Sequence, residues 1–346
     1  MVEIGLKMIR DDRILTGKRI LLFIPVFFGY ESIIKKSMEM MGALVDFYDE
    51  RSIKSNFSKA LLKINPALFK RKSEKYFNKI ITEHKNTSFD YIIIIKCDMI
   101  SERILDKLRN EHPEAKLCLH LWDSVKNIPN IKKKIPYFDC ITSFDRNDCI
   151  ARKELRFRPL FFSSLVLEHK ESNYLYDIAF CGTIHSDRYC VIKKIEKLSD
   201  DLKLKFYKFA YIQSRFVYYF YRFSNKCFKN STPQDFSFIK KPQEELYAIE
   251  MSSRIILDIQ HPKQSGLTIR TIEMLGMKKK LITTNTDIIN YDFYDPSNIC
   301  IIDRNNPKLD QEFLTVPYKD LAESIYDNYY INQWILDVLG IGEIAL

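Results

Sequence analysis

The sequence has 346 residues, of which 46% are hydrophobic and 29% are charged, and its formal net charge is +9. This composition is typical of a folded globular protein, and the length predicts two domains of ordinary size. No apolar run approaches the roughly 20 residues that a membrane-spanning helix needs, and the positive charge favours an anionic partner such as a nucleotide diphosphate, an acidic lipid or nucleic acid.

The first half of the sequence alternates strand and helix patterns. An apolar strand ends in a loop at Gly29, a helical periodicity covers 33–41, and the run 91–95 is a continuous β-branched segment typical of a strand buried on both faces. Two further strand and helix units follow, and Asp145 or Asn147 is expected to cap the last helix. This alternation predicts a parallel sheet with helical crossovers.

The pattern restarts in the second half with a strand at 176–181, after a polar stretch that ends at 173. Further strands and helices are predicted at 188–198, 202–209, 242–251, 254–259, 280–284 and 299–302. We therefore predict an α/β protein with two doubly wound, Rossmann-like domains, 1–168 and 169–317, that face each other across a cleft. The tail, 318–346, is expected to form helices that pack back toward the first domain.

The eight cysteines are scattered singly, and no pair has the two-residue spacing of a zinc site or a redox dithiol. They are predicted to be free thiols in a reducing compartment. The first residues include acidic side chains where a secretory signal has an apolar core, which also predicts a cytoplasmic protein.

The clearest functional pattern lies between 255 and 295, where a strand, a polar glycine loop, a helix and a second strand follow one another. The loop consists of Gln264, Ser265, Gly266, Leu267 and Thr268. A loop and helix N-terminus after a parallel strand can bind a phosphate through backbone N–H groups, and Gly266 allows close approach. Arg270 in the helix is placed to meet a phosphate oxygen, and Glu273 to hold a ribose diol. The alternative is an ordinary helix with an exposed Arg–Glu pair.

A second glycine loop follows the strand that opens the second half. Its candidate residues are Gly182, Thr183, His185 and Arg188. Gly182 would let the loop pass close to donor phosphates, and Arg188 or His185 would neutralise the charge of a leaving group. Alternatively, Ser186 or Asp187 only caps the following helix and Arg188 is solvated.

These patterns resemble those of the GT-B glycosyltransferases, and more narrowly the CgeB-like and lipopolysaccharide or capsule biosynthesis enzymes of bacteria. The resemblance rests on residues 264–285 and 176–188, and on the patches 121–124 and 138–148 in the first half. It implies that Glu273 holds the ribose and that the preceding loop binds the diphosphate. Ser265 stands where retaining enzymes of this kind have a first glutamate, so the stereochemical outcome stays open.

An inverting transfer needs a base in the first domain that takes a proton from the acceptor hydroxyl. Candidate bases stand at predicted strand ends: Glu31 after the first strand, Asp98 after the third and Asp123 after the fourth. Gly29 and Tyr30, which precede Glu31, are further candidates for contact with the acceptor. Asp123, between Trp122 and Ser124, is the preferred base, and the alternative is that it caps a turn. In a retaining enzyme Asp123 would hold the acceptor instead.

No metal-binding or Walker-type motif is present, so we expect no metal and no cofactor, the nucleotide sugar being a co-substrate. Two stretches, 56–85 and 205–241, interleave aromatic residues with lysines. This pattern is typical of contact with an anionic membrane, although for 203–209 core-facing aromatics with solvated lysines are the preferred interpretation. No RNA-binding signature appears, and nucleic acid is not an expected partner.

The sequence therefore predicts a cytoplasmic glycosyltransferase, peripheral on the inner face of the membrane. It would move a sugar from a nucleotide-sugar donor to a surface polysaccharide or a lipid-linked oligosaccharide without a metal ion. The alternative is a protein without catalytic activity, either a binder of nucleotide sugars or a membrane-associated assembly partner in a polysaccharide machine.

Overall fold

The computed structural model describes residues 13–51, 67–164, 174–262 and 265–342, and the chain forms two compact units. Unit 1 comprises Met1–Pro159 and Ile331–Leu346, and unit 2 comprises Leu160–Tyr330. The junction between the units therefore precedes the predicted boundary at 168, and the C-terminal segment divides at 330 rather than at 317.

Unit 1 contains a parallel sheet whose strand order, among the described residues, is β2-β1-β3-β4-β5-β6. Its elements are β1 (Arg19–Ile24), α1 (Tyr30–Met40), β2 (Leu44–Asp49), α2 (Ala67–Glu83), β3 (Tyr91–Ile95), α3 (Glu102–Glu111), β4 (Lys116–Leu121), α4 (Ile131–Lys134), β5 (Cys140–Ser143), α5 (Arg146–Ala151), β6 (Arg156–Phe157) and, from the chain end, α12 (Ile331–Leu339). The isoleucines of β3 are buried, as expected for a central strand of a parallel sheet. Asp145 caps α5 by accepting from the N–H groups of Asn147 and Asp148, which confirms one of the two predicted caps.

Unit 2 contains a second parallel sheet, with the order β11-β10-β9-β7-β8. Its elements are β7 (Tyr176–Thr183), α6 (Arg188–Asp201), β8 (Phe206–Tyr211), α7 (Arg215–Ser224), α8 (Gln243–Met251), β9 (Ser253–Asp258), α9 (Ile269–Gly276), β10 (Lys280–Thr283), β11 (Ile299–Ile301), α10 (Gln311–Thr315) and α11 (Glu323–Asn328). Two parallel sheets with helices confirm the predicted α/β fold class.

The strand order reverses at one place in each sheet. In unit 1 the reversal lies between β1 and β3, and in unit 2 it lies between β7 and β9. Ligands of parallel α/β sheets bind outside the carboxyl ends of the strands at such a reversal. We call the edge where the strands of a sheet end its carboxyl edge, and we expect the functional residues to lie there.

The predicted cysteine chemistry needs a correction. Cys190 and Cys227 are joined by a disulfide, with their Cα atoms 5.5 Å apart, so these two are not free thiols. The pairing joins α6 to the turn that follows α7. The sequence spacing of 37 residues carried no sign of it, because the two cysteines meet only through the tertiary fold.

The two basic, aromatic stretches have different structures. In the part of 56–85 whose side chains are described, Phe77, Ile80 and Ile81 are core residues, so these side chains cannot contact a membrane as predicted. Positions 56–66 lie outside the described residues. The stretch 205–241 instead contains α7, a helix with exposed aromatic side chains. Among the described residues, no helix is both long and apolar enough to cross a membrane.

Candidate functional site

Arg188 lies where the strand order of unit 2 reverses. Its Nη1 donates to the carbonyl of Thr183 at 2.7 Å, and its Nε donates to the carbonyl of Ile259 at 2.7 Å, so it joins the ends of β7 and β9. The guanidinium also lies over the ring of Phe180, 5.9 Å from its centroid. Burial lowers the pKa of Arg188 to about 10, which keeps the side chain charged at neutral pH. Arg188 is therefore a cation held by backbone carbonyls and not a solvated surface residue.

The loop between β7 and α6 places His185 next to a second histidine. The ring centroids of His185 and His261 are 5.3 Å apart. Burial, the charge of Arg188 and the neighbouring His261 together lower the pKa of His185 to about 4, so its imidazole is neutral at physiological pH. The next residue, Ser186, has a positive φ of 49°, a conformation that costs free energy in a residue other than glycine and occurs often at ligand sites.

Arg304, just after β11, is a third basic residue of this region that the sequence analysis did not identify. Its Nη1 contacts both carboxylate oxygens of Asp187, at 2.7 and 2.9 Å, and its Nη2 donates to the carbonyl of Gln260. Its charge, like that of Arg270, contributes to the lowered pKa of Arg188. The signal available in the sequence was its position directly after a predicted strand, where the chain reaches the carboxyl edge.

The loop before α9 is held by hydrogen bonds at this same edge. Thr268 caps the helix by accepting from the N–H of Thr271, and both hydroxyls donate to Asp258, at 3.1 and 2.7 Å. The carbonyl of Ser265 accepts from Asn285, which follows β10, at 3.0 Å. Because the Thr268 hydroxyl is used within the protein, the start of α9 can offer an anion the positive end of the helix dipole.

The remaining positions of the two glycine loops differ in their burial and contacts. Leu267 is buried, Gly266 is buried beside it, and Gln264 lies outside the described residues. Gly182 lies next to Arg188, and a Cβ there would come 3.1 Å from the ring of Phe180. Gly182 therefore permits the close approach between the end of β7 and the aromatic ring beneath Arg188.

Glu273 faces a buried polar cluster in the interior of unit 2. Its carboxylate accepts from the hydroxyl of Tyr247 at 2.7 Å and lies 3.9 Å from Nη1 of Arg270, and only 2% of the residue is exposed. Arg270 also pairs with the fully buried Glu250. Burial, reinforced by the charges of Glu273 and Asp258 and opposed by Arg270, raises the pKa of Glu250 to about 7. Tyr247 and Glu250, which come from α8, were not identified from the sequence.

Gly29, Tyr30 and Glu31 follow β1 in unit 1, where the strand order of that sheet reverses. Gly29 has a positive φ of 81° at the start of α1, and Tyr30 packs edge-on against Trp122. The Glu31 carboxylate accepts from the N–H of Phe27 at 3.0 Å and so holds its own loop. These contacts shape the turn after β1.

The turn after β3 places two carboxylates around one lysine. The Lys96 amine lies 2.9 Å from Asp98 and 3.6 Å from Asp123. Lys96 and Cys97 have φ of 80° and 65°, and two consecutive residues other than glycine in this region indicate a strained backbone. Asp123 also accepts from Ser124 N and Asn127, so it forms a turn as well as an ion pair.

Glu50, which follows β2, is a buried carboxylate beneath this turn. It is fully buried and accepts from the N–H of Met99 at 2.6 Å, and Lys134 donates to the carbonyl of Cys97 at 2.7 Å. Burial and the charge of Asp98 raise the pKa of Glu50 to about 8, so it holds a proton at neutral pH. Nothing in the sequence pattern distinguished Glu50, because its burial depends on elements distant in the chain.

The structure thus forms two candidate sites, one in each unit. Unit 2 gathers Gly182, Thr183, His185 and Arg188 with the unpredicted His261 and Arg304 at its carboxyl edge. Unit 1 gathers Asp98 and Asp123 around Lys96, above Glu50. Within the described residues, no group of three or more His, Cys, Asp or Glu side chains is arranged to hold a metal ion.

No protein-family model matches the sequence, and no curated protein matches it. Several solved structures are similar. Anabaena HepE, in complex with UDP and glucose, is 10% identical, with 93% of this chain and 92% of that chain covered and a TM-score of 0.53. The N-terminal domain of trehalose-6-phosphate phosphatase from Candida albicans is 11% identical, with 95% and 98% covered and a TM-score of 0.55. UDP-GlcNAc 2-epimerase from Methanocaldococcus jannaschii, in complex with UDP-GlcNAc and UDP, is 12% identical, with 94% and 99% covered and a TM-score of 0.51.

Proposed function

Because this chain has the GT-B fold, we propose that it is a glycosyltransferase that uses a nucleotide-sugar donor. The observation that carries the proposal is the basic group at the carboxyl edge of unit 2, where Arg188, Arg304 and the N-terminus of α9 meet at the reversal of strand order. A diphosphate needs such a combination of cations and backbone donors. The similar structures of HepE, in complex with UDP and glucose, and of the epimerase, in complex with UDP-GlcNAc and UDP, support a nucleotide sugar as the ligand.

In this proposal, unit 2 binds the donor. The loop Ser265–Thr268 and the dipole of α9 hold the diphosphate, and Arg188 and Arg304 stabilise the negative charge that develops on it when the sugar leaves. The neutral imidazole of His185 donates a hydrogen bond to a phosphate oxygen. Glu273 holds the ribose hydroxyls, exchanging part of its contact with Tyr247 for the diol.

Unit 1 would bind the acceptor and take its proton. Asp123 and Asp98 are carboxylates, and both contact the amine of Lys96, which lies between them. In an inverting transfer one of them, Asp123 in our assignment, accepts the proton of the acceptor hydroxyl as that oxygen attacks the anomeric carbon. The bond from the anomeric carbon to the diphosphate oxygen breaks, and the nucleoside diphosphate leaves with the electron pair.

The proposed reaction uses no metal ion and no cofactor, because the guanidinium groups and the helix dipole supply positive charge at the leaving diphosphate. The acceptor would be a surface polysaccharide, such as lipopolysaccharide or capsule, or a lipid-linked oligosaccharide. That chemistry would place the enzyme on the cytoplasmic side of the membrane, in peripheral contact with it.

The test is isothermal titration of the full chain with UDP, GDP, ADP and CMP, followed by the sugar conjugates of the base that binds. We expect one base to bind with micromolar affinity, and Arg304→Gln to weaken that binding at least tenfold. Arg254→Gln, at the opposite end of the same sheet, is the matched control and should bind as the unaltered chain does. Absence of binding by all four nucleotides would overturn the proposal.

A second function is favoured by one observation, the ion pairing of both candidate bases with Lys96. A protein that binds nucleotide sugars without transferring them needs no uncommitted base. Incubating the bound nucleotide sugar with oligosaccharide acceptors, and resolving the products by mass spectrometry, separates transfer from simple binding. Epimerisation, the activity named for one similar structure, would instead change the sugar without lengthening the acceptor.

A further inference from the structure

Helix α7 of unit 2 has aromatic side chains on two opposite faces. Tyr218, on the inner face, is fully buried and packs against Phe236, with ring centroids 5.4 Å apart. On the outer face, Phe216, Phe220 and Phe223 are 81%, 62% and 87% exposed. Only the inner face contributes to the core, so folding of unit 2 does not account for the outer phenylalanines.

The outer aromatic residues form one continuous stripe. Residues 216, 219, 220 and 223 recur at the i, i+3, i+4 and i+7 spacing, which places side chains on the same face of a helix. Tyr219, the fourth member, is 46% exposed. A contiguous exposed apolar patch, in contrast to scattered single residues, indicates an interaction surface. We call residues 216, 219, 220 and 223 the outer stripe.

The chain around the outer stripe is predominantly positive. Residues 203–243 contain nine lysines and arginines but only one acidic residue, Asp235. Arg215, Lys226 and Lys229 are exposed at the two ends of α7. This charge complements an anionic surface, because lysines and arginines close to an anionic bilayer are attracted to its headgroups.

The helix is held firmly on unit 2. Ser214 caps it by accepting from the N–H of Val217, and the hydroxyl of Tyr218 on its inner face donates to the carbonyl of Ser231 at 2.8 Å. Asn225, just past the helix, donates to the carbonyl of Ser186 at 2.9 Å, so α7 is connected to the loop of the proposed donor site. A firmly held helix presents its outer stripe without first having to fold.

A second copy of the chain fits the outer stripe less well than a lipid bilayer does. Three phenylalanines at these exposures present roughly 450 Å² of apolar surface, below the roughly 800 Å² per partner of a stable interface. Two copies would also bring the same positive charge together. A bilayer needs no complementary protein surface and attracts the cations.

We propose that α7 docks this protein on an anionic lipid bilayer, with Phe216, Phe220 and Phe223 entering the boundary between headgroups and acyl chains. Arg215, Lys226 and Lys229 then contact the lipid phosphates, as in other amphipathic helices that lie in the membrane interface. This inference deepens the proposed function and rests on its membrane setting, since it names the surface that brings unit 2 to a lipid-linked acceptor.

The test is co-sedimentation of the full chain with vesicles of phosphatidylcholine alone and with 30% phosphatidylglycerol. We expect binding to the anionic vesicles, weakened by salt, and at least a tenfold loss of affinity in the triple variant Phe216→Ser, Phe220→Ser, Phe223→Ser. Because these side chains are exposed, the triple variant should keep its melting temperature. The double variant Met40→Ser, Ile150→Ser removes equally exposed apolar residues from unit 1 and should bind as the unaltered chain does.

Equal vesicle binding by the triple variant and the unaltered chain would overturn the inference. A concentration-dependent dimer, measured by analytical ultracentrifugation, would also overturn the inference if the triple variant abolishes the dimer and the unaltered chain does not bind vesicles. Oligonucleotide binding with a steep salt dependence, lost in the triple variant in place of vesicle binding, would assign the stripe to nucleic acid. Nucleotide titration of the same variants separates this inference from the proposed function, because loss of the stripe leaves the donor site intact.

Discussion

Arg188 shows how one residue organises the candidate donor site. Its guanidinium is bound by carbonyls at the ends of β7 and β9, two strands that are neighbours in space but separated in sequence by α6, β8, α7 and α8. Burial and the charge of Arg188 lower the pKa of His185 to about 4, so the loop carries a fixed cation beside a neutral imidazole. A diphosphate entering this group would meet positive charge that is already positioned, which lowers the cost of reorganisation.

Glu273→Gln tests whether the buried carboxylate binds ribose or only stabilises α9. We expect the variant to lose about tenfold in affinity for the nucleotide that binds, because an amide is a weaker acceptor for the diol than a carboxylate. Its affinity for the 2′,3′-dideoxy form of that nucleotide should be unchanged, since that ligand has no hydroxyls to hold. Both affinities are measured by titration calorimetry.

A purely structural Glu273 would give a different result. Loss of its bonds to Tyr247 and Arg270 would then weaken both nucleotides equally and lower the melting temperature. Tyr247→Phe removes the hydroxyl partner while leaving the carboxylate, and it should preserve the difference between the two nucleotides.

The raised pKa of Glu50 predicts that the free energy of unfolding depends on pH. Its pKa is about 8 in the folded chain and near 4.5 when unfolded, so between these values the folded state keeps a proton that the unfolded state releases. The free energy of unfolding should therefore fall as pH rises from about 4.5 to 8, by on the order of a few kcal/mol, and level off above. In Glu50→Gln this part of the decline should disappear in urea unfolding followed at several pH values.

The control is Glu114→Gln, which alters an exposed carboxyl and should leave the decline as it is. The pKa of Glu250 is raised to about 7, so Glu250 also makes the free energy of unfolding fall as pH rises. Glu50→Gln should therefore remove only part of the total decline. A curve for Glu50→Gln that coincides with that of the unaltered chain would show that Glu50 is ionised in the folded protein.

Helix α9 is the element that brings the donor loop and the buried carboxylates together. Its first turn is held by the Thr268 cap and by Asp258, at the end of the preceding strand. Its last residue, Gly276, packs directly against Phe162. The helix is thus fixed at both ends, which sets the position of the loop before it.

Gly276→Ala should destabilise unit 2. A Cβ at this position would lie 2.5 Å from Cγ of Phe162, so the ring or the helix must move, at a cost of about 2 kcal/mol. The alanine's better helix propensity returns at most about 1 kcal/mol of that. Differential scanning calorimetry should show a lower melting temperature.

Gly182→Ala is the comparison for this substitution, because its Cβ would come no closer than 3.1 Å to the tip of the Phe180 ring and 3.5 Å to Nη1 of Arg188. Its melting temperature should fall less than that of Gly276→Ala. An unchanged or higher melting temperature for Gly276→Ala would show that the Phe162 ring moves aside without a loss of stability.

Each unit has a hydrophobic core of its own, and the first five strands of each sheet have the same order, with the reversal after the first strand. The units differ in how the chain supplies them. Unit 2 is one continuous segment, whereas unit 1 needs α12 from the C-terminal end. There, Trp334 is fully buried and packs on His120, and Arg158 forms a buried ion pair with Asp337 at 3.1 Å.

Deleting residues 331–346 should therefore unfold unit 1 and spare unit 2. The deletion removes a buried tryptophan and leaves the Arg158 guanidinium without its carboxylate, and breaking a buried pair in this way costs about 3–5 kcal/mol. Calorimetry should show one transition in place of two, with nucleotide affinity retained. Alanine substitution of exposed Glu323 and Ser324, which precede α12, is the control. Retention of both transitions after the deletion would contradict the assignment of α12 to unit 1.

The alternation of strands and helices, and the place of most elements, could be predicted because period and burial are local properties of the sequence. The β-branched run at Tyr91–Ile95 and the helix start at Arg188 agree with the structure, as does the α/β class. The aromatic segment around 216–223 was not predicted as a helix, since aromatic residues on both faces hide the 3.6-residue period.

The glycine loops and the residues after strand ends were also visible in the sequence, because parallel strands always end at the same edge. Which of those ends are neighbours was not visible. Arg304 reaches Asp187, His261 reaches His185, and Cys190 reaches Cys227 only because β7 lies between β8 and β9. Burial of Glu50 and Glu250 likewise depends on packing between distant segments. The sequence alone determined which elements form, and the tertiary structure decided which side chains meet, because strand order and burial result from contacts that no local pattern encodes.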